Sequence, residues 1–373
     1  MQTYQRQHRG DRGAYERYLA GMDASMKQKV ALTAAHLLTR GRVADMGMGS
    51  GAGSFALASL YPALEVVGVD VNPTMVELAA DTHRLPNLSF QVGDISRPCF
   101  PPGWLDAIFD SSVLHHVTTF NGYSYAEAER CLTVQTDQLR MHGTLIVRDF
   151  VAPEPGPVWL DLPAEDGPGD DPRTCSTAAL FERFAREFRK LRGDGFPYQA
   201  DPPGDPPPRP GWRRFQVDRR HAVEFVLRKD YREDWETEVL EEYLYFTQTE
   251  FEQVFARLGL RVLASNPLRN PWILRHRFRD RFDLYDASGT REEDPPTNYV
   301  IVGERVPPEE GVGFHEVGPS PPLAFLHSEH YRDRRSGKLR DLVRRPNLTV
   351  DVVPWFDDEG DLYVVARRSY PRP

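Results

Sequence analysis

The stretch Val43-Ala-Asp45-Met-Gly47-Met-Gly49-Ser-Gly51-Ala-Gly53-Ser54 decides how this chain is read. Its glycines alternate with small or flexible residues, which lets the backbone take positive φ and leaves bare main chain for a ligand to lie against. Arg42 to Met46 upstream reads as a strand, and Phe55-Ala-Leu-Ala-Ser-Leu60 downstream reads as a helix. Strand, glycine turn and helix N-terminus together form a nucleotide-binding corner. Gly47-Met-Gly49-Ser-Gly51-Ala52 also fits the G-x-G-x-x-G/A form of dinucleotide sites, with Asp70 about twenty residues later to hold a ribose, so an NAD-dependent oxidoreductase is a rival reading. Asp45 separates the two. A carboxylate two residues before the first glycine repels a pyrophosphate, whereas it accepts hydrogen bonds from a cationic amino-acid group or orders the loop, which favours a cofactor with an adenosine and a positive end.

Working outward, Leu64-Glu-Val-Val-Gly-Val-Asp70 fits a buried parallel strand ending on an acid. Asp70 can accept both hydroxyls of a ribose, or cap the helix that opens at Pro73-Thr74-Met75. Leu88 to Asp94 is a third strand, again ending on a carboxylate, with Ile95 next; a turn aspartate is the plain alternative for Asp94. Leu105 to Val117 begins as a strand through Asp110 and Ser111 and opens into a loop carrying His115 and His116. On extended backbone adjacent side chains point apart, so this pair is not expected to chelate one metal, and no metal is expected. Either imidazole has a pKa suited to a general base, or the pair shapes a pocket. A helix is expected from Ala126 to Met141, stopped at Gly143, and Thr144 to Phe150 comes next as a fifth strand ending in Asp149, which on its own reads as a partner for Arg148 or a neighbouring basic group.

In this order the segments resemble the motifs of class I S-adenosylmethionine (SAM) dependent methyltransferases, over about 1–150 and 243–305. The resemblance implies an α/β fold, a seven-stranded, doubly wound, mostly parallel sheet, with SAM as cofactor. It places Asp45, Gly47, Gly49, Gly51, Asp70, Asp94, Ile95, Asp110 and Ser111 around the cofactor, Asp94 receiving the adenine amine. His115, His116 and Asp149 become the candidate catalytic groups. The Asn/Asp-Pro-Pro-aromatic tetrad of base N-methylation is missing, which argues against an enzyme of that type. The reaction implied is in-line transfer of the sulfonium methyl to an O, N or C nucleophile of a small-molecule metabolite. A methyltransferase acting on RNA or another anionic macromolecule, and a non-catalytic SAM-binding module of a larger two-domain protein, are the alternatives.

The remaining sequence departs from that pattern. Residues 151–242 read as an insertion, a substrate lid with one convincing helix from Ser176 to Leu191 and Pro-rich flanks; Trp159, Phe196, Tyr198, Trp212 and Trp235 line it or form its own core. Residues 243–305 complete the fold through a Thr-capped helix from Tyr245 to Gly259, a strand at Leu260 to Ser265 and a final antiparallel strand at Asn298 to Arg305. The long connection before that strand carries Arg275-His-Arg-Phe-Arg-Asp-Arg-Phe282; if extended, its four arginines share one face, either a solvated edge or an anion contact. In 306–373, Leu348 to Arg368 reads as a hairpin resembling the opening strands of a Nudix-type domain, but without the G-x5-E-x7-R-E-x2-E-E box after it. Ala14 to Leu38 has helical spacing, with Tyr18 and Met22 available to cover the cofactor.

Composition narrows the partners. The chain has 373 residues, enough for one large core, and a net charge of −9, which offers no general attraction to phosphate backbones. Cys99, Cys131 and Cys175 are scattered without C-x-x-C spacing, as suits a reducing compartment, the first residues carry no apolar h-region, and no apolar run approaches about 18 residues. A cytoplasmic protein with a small-molecule methyl acceptor is expected, with no membrane or nucleic-acid partner and with a homodimer admitted.

Overall fold

Near-continuous apolar runs at Arg40–Met46 (β1), Ala63–Asp70 (β2), Leu105–Ser111 (β4) and Leu139–Asp149 (β5) make strands that are buried on both faces, the condition for a parallel sheet. The computed structural model describes residues 40–308 and 310, together with four strands between 327 and 364. With Leu88–Val92 (β3), Leu260–Leu268 (β9) and Asn298–Arg305 (β11), they form a seven-stranded sheet in the order β3-β2-β1-β4-β5-β11-β9. β11 runs antiparallel to both β5 and β9, and the β1–β5 block is parallel. This is the expected doubly wound class I methyltransferase architecture.

Alternation along the strands supplies two cores. Val43, Val66, Ala107, Phe109 and Ile146 pack on one face against Leu57 and Ala58 of Ala52–Leu60 (α1). Ala44, Met46, Val69, Ile108 and Val147 pack on the other against Tyr125–Gln138 (α4) and Gln248–Arg257 (α7). Pro73–Thr82 (α2) comes after β2, and Leu114–Phe120 (α3) after β4. α7 has the capping box anticipated from Thr247, whose side chain takes the Glu250 amide while Glu250 takes the Thr247 amide.

The insertion builds a second sheet. Pro157–Pro163 (β6), Gln199–Ala200 (β7), Trp212–Asp218 (β8) and Asp283–Asp286 (β10) are antiparallel in the order β10-β6-β8-β7, covered by Thr177–Glu187 (α5) and Arg219–Arg228 (α6). β10 comes from the long connection between β9 and β11, so that connection is part of this sheet. Phe181, Phe184, Phe215, Phe225 and Trp235 form its core. Phe196 and Trp235 are therefore core residues; Trp159 and Trp212 are half-buried beneath the guanidiniums of Arg214 and Arg209.

Three local expectations change. α4 stops at Gln138 and β5 starts at once, running through His142 at φ 62° and Gly143, so Gly143 lies in a strand and does not end the helix. His115 and His116 lie in a helix, where an extended loop was expected. The arginine run coils into the π-turn Leu274–Phe278, so period-two alternation fails and the four arginines do not share an extended face; Arg277 stacks over Tyr231 and Trp272. In the unit Gly313–Ser369, two antiparallel pairs are described: His327–Arg332 (β12) with Leu339–Arg344 (β13), and Trp355–Asp358 (β14) with Asp361–Val364 (β15). The second pair falls inside the expected hairpin. The helical reading of Ala14 to Leu38 lies outside the described residues.

A buried ion pair on α6 ties the insertion to the segment just before α7. Glu224 pairs with Arg228 and accepts the amides of Tyr243 and Leu244, while Arg228 donates to the carbonyls of Glu238 and Glu241. Arg228→Ala leaves the Glu224 carboxylate buried without its cation, and chemical denaturation is expected to show a loss of about 3–5 kcal/mol. His221, stacked on Phe196 at 4.2 Å, is pushed by burial from 6.5 to about 4. Native His221 therefore stays neutral while the unfolded chain takes up a proton, and stability contributed above pH 6.5 is lost as pH falls towards 4. His221→Phe is expected to lose less melting temperature than the wild type between pH 7 and pH 5.

Candidate functional site

The site is assembled at the C-terminal ends of β1, β2, β4 and β5, where open α/β sheets bind ligands. Gly47, Gly49 and Gly51 take φ of 75°, 58° and 76°, a region that side chains rarely occupy. A Cβ on Gly47 would stand 2.4 Å from Val113, and one on Gly51 2.8 Å from Ala79 and 2.9 Å from Phe90. The loop is thus a cradle closed to side chains. Asp70 holds its shape from β2: one carboxylate oxygen takes the Gly49 amide at 3.1 Å and the other takes the Asn72 amide at 2.9 Å. Burial raises the Asp70 pKa against the pull of these amides. The cap of α2 is Asn72, which accepts the Thr74 amide, so Asp70 does not serve as that cap.

Asp45 is buried and accepts the Ser54 hydroxyl at 2.6 Å, which fastens the glycine loop to the first turn of α1. Asp94 is brought beside Asp70 by a bond from the Gly93 amide to the Asp70 carbonyl; it accepts the Ser96 amide at 2.9 Å and pairs with Arg97. Ile95 is buried in the core. Asp110 is buried between β4 and α4; Gln135 donates to one of its carboxylate oxygens at 3.1 Å, and burial raises its pKa well above the usual range. Ser111, next along the strand, points to the other side and is half-buried.

Val113, against which Gly47 packs, lies two residues before His115. His115 Nδ1 donates to Asp149 at 2.8 Å, and its backbone amide donates to the same carboxylate at 3.1 Å. Tyr245 donates its hydroxyl to Asp149 at 3.2 Å. Asp149 is therefore the partner of His115, while Arg148, on the opposite face of β5, reaches Ser112 and Asn298. Burial alone would lower the His115 pKa, but the Asp149 charge and hydrogen bond outweigh it and hold it above its ordinary value. Burial likewise opposes Asp149, yet His115 keeps it below the usual carboxylate range. The remaining nitrogen, Nε2, faces Glu241 at 4.0 Å, and His116 Nδ1 approaches the same carboxylate at 4.0 Å. Phe150 and Tyr243, stacked at 4.4 Å, wall the imidazole.

Sequence reasoning does not single out Glu241, Tyr243 or the Asp149 contact of Tyr245. The helix pattern from Tyr245 to Gly259 marks α7 and gives no sign of the segment before it.

Residues 43–134 match a family model described as a methyltransferase domain. The trans-aconitate 2-methyltransferase of Methylobacterium nodulans is 33% identical over 134 residues, covering 31% of this chain and 50% of that protein. The chain thus spans about half the length of this curated relative. A SAM-dependent methyltransferase structure from Mesorhizobium loti has 14% identity and a TM-score of 0.42, covering 74% of this chain and 96% of that one. Human N-acetylserotonin methyltransferase in complex with SAM has 13% identity and a TM-score of 0.41, covering 80% and 57%. Strand order and glycine cradle agree with the methyltransferase-domain match over residues 43–134: the sheet has the class I methyltransferase fold, and the cofactor that goes with it is SAM.

Proposed function

We propose that the protein transfers the methyl group of SAM to a nucleophilic atom of a small molecule held beside His115 and His116. The observation that carries this reading is the packing of the Gly47 turn on Val113, which sets the cofactor cradle directly against the segment bearing the histidines. SAM, when bound, supplies an electrophilic methyl on a sulfonium that leaves as a neutral thioether. The chain's own part is placement. Gly47, Gly49 and Gly51 leave room for the cofactor, Asp70 has lone pairs remaining for a ribose, and Asp45, Asp94, Ile95 and Ser111 shape the surround.

His115 and His116 line the side on which the acceptor is held, and Asp149 is a positioning residue that fixes the His115 ring. Phe150 and Tyr243 exclude water. A fixed, dry geometry of this kind supplies most of the acceleration in a direct displacement. A small acceptor is supported by the second sheet standing after β5 and by the name of the 33%-identical relative, which makes trans-aconitate that protein's substrate. The loss of the shared arginine face removes the feature that favoured RNA.

Incubation with methyl-labelled SAM and a panel of small acids, phenols and amines is expected to yield S-adenosylhomocysteine together with a labelled small product. Label that enters only macromolecules, or that never leaves SAM, contradicts the proposal. Asp70→Ala is expected to weaken SAM binding at least ten-fold by calorimetry with an unchanged circular dichroism spectrum; equal affinity removes Asp70 from the cofactor site. Asp149→Asn is expected to lower kcat by about 10–100-fold while KM for SAM stays put, the mark of a group acting through His115.

A further inference from the structure

His115, His116 and Glu241 converge. One ligand atom from each lies within 4.8 Å of the others, and each imidazole stands 4.0 Å from the carboxylate. We propose that these three residues bind a divalent transition-metal ion of the zinc type. Such binding adds to methyl transfer without depending on it.

The donor chemistry is apt. Two imidazole nitrogens and a carboxylate oxygen are a ligand set that zinc accepts, with a fourth position left for water or an oxygen of a substrate. Donors around zinc at bond lengths of about 2.0–2.2 Å stand closer together than these three do, so the three side chains close inward on the ion as it binds. The surroundings are built in the same sense. His115 donates Nδ1 to Asp149, which leaves Nε2, the nitrogen facing Glu241, as the coordinating atom; a carboxylate behind a ligating imidazole fixes tautomer and ring orientation and strengthens the ligand.

Glu241 is equally well placed by the chain. Its carbonyl takes Arg228 Nη1 at 2.8 Å, its amide reaches Glu238, and the neighbouring Glu242 amide donates to Thr119 Oγ1 at 3.0 Å, which clamps the segment onto α3. The site is enclosed: His115 and Glu241 are buried, and Phe150 and Tyr243 form an aromatic wall. A carboxylate at this depth is stabilised by positive charge, and a dication between it and the imidazoles adds that charge. Adjacent histidines can share an ion here because α3 is helical, with ring centroids 4.2 Å apart.

The test uses the full chain stripped with a chelator and titrated with zinc against a chromophoric competitor. One equivalent per chain is expected, and cobalt substitution should give visible bands of nitrogen and oxygen ligation with no thiolate charge-transfer band. Glu241→Gln and His116→Ala should each weaken zinc at least ten-fold, whereas the control His83→Ala, at the C-terminal end of α2 and stacked on Phe55, should not. If one variant misfolds by circular dichroism, the other decides; if both do, the cobalt spectrum of the wild type decides. Absence of stoichiometric binding, a thiolate spectrum, or unchanged affinity in a folded variant overturns the site. Calorimetry of SAM binding to the metal-free chain reports on the methyltransferase reading separately.

Discussion

The buried carboxylate of Asp149 is the junction on which the functional end of the sheet depends. Its two oxygens take the His115 ring, the His115 amide, the Phe150 amide and the Tyr245 hydroxyl. Those groups belong to the start of α3, the end of β5 and the approach to α7, three places that this carboxylate joins. An ionised carboxylate is tolerated at this depth because every donor it receives also orders a piece of the site. The same contact that stabilises the acid thus aims the imidazole.

A comparable economy operates around the cofactor loop. Asp70 directs its hydrogen bonds to amides of the glycine turn and of the residue that caps α2, so the loop is shaped before any ligand arrives. Asp45 does the same from β1 through Ser54. Loop and histidine segment touch at Gly47 and Val113, where a side chain in place of the glycine has no space. The glycine loop and the histidine segment are therefore packed against each other along one edge of the sheet.

Legibility in the sequence depended on range. The strands were readable because parallel strands buried on both faces are apolar throughout, and the glycine turn because only glycine adopts its backbone so readily. Ser176 and Thr247 announced their helices through local capping. His115 and His116 stood out as residues, but their helix did not, since Leu114–Phe120 is short and has no side-chain cap. Asp110 is legible as an acid at a strand end, but its Gln135 partner comes only from the packing of α4. Glu241 was out of reach: the bond that clamps its segment joins Thr119 to Glu242, 123 positions apart, and nothing near Glu241 declares it. The arginine alternation misled because it assumed extended backbone where the chain coils.

The strand β10 gives the second sheet an uncommon relation to the chain. One edge of that sheet is contributed by Asp283–Asp286, far beyond the insertion that supplies its other three strands. Residues 151–242 are consequently not a cassette. Transplanted into a related enzyme they would arrive with β6 lacking its outer neighbour, and a foreign insertion grafted here would leave β10 without a strand to pair. Replacing that sheet as a whole therefore requires two coordinated exchanges, one on each side of α7.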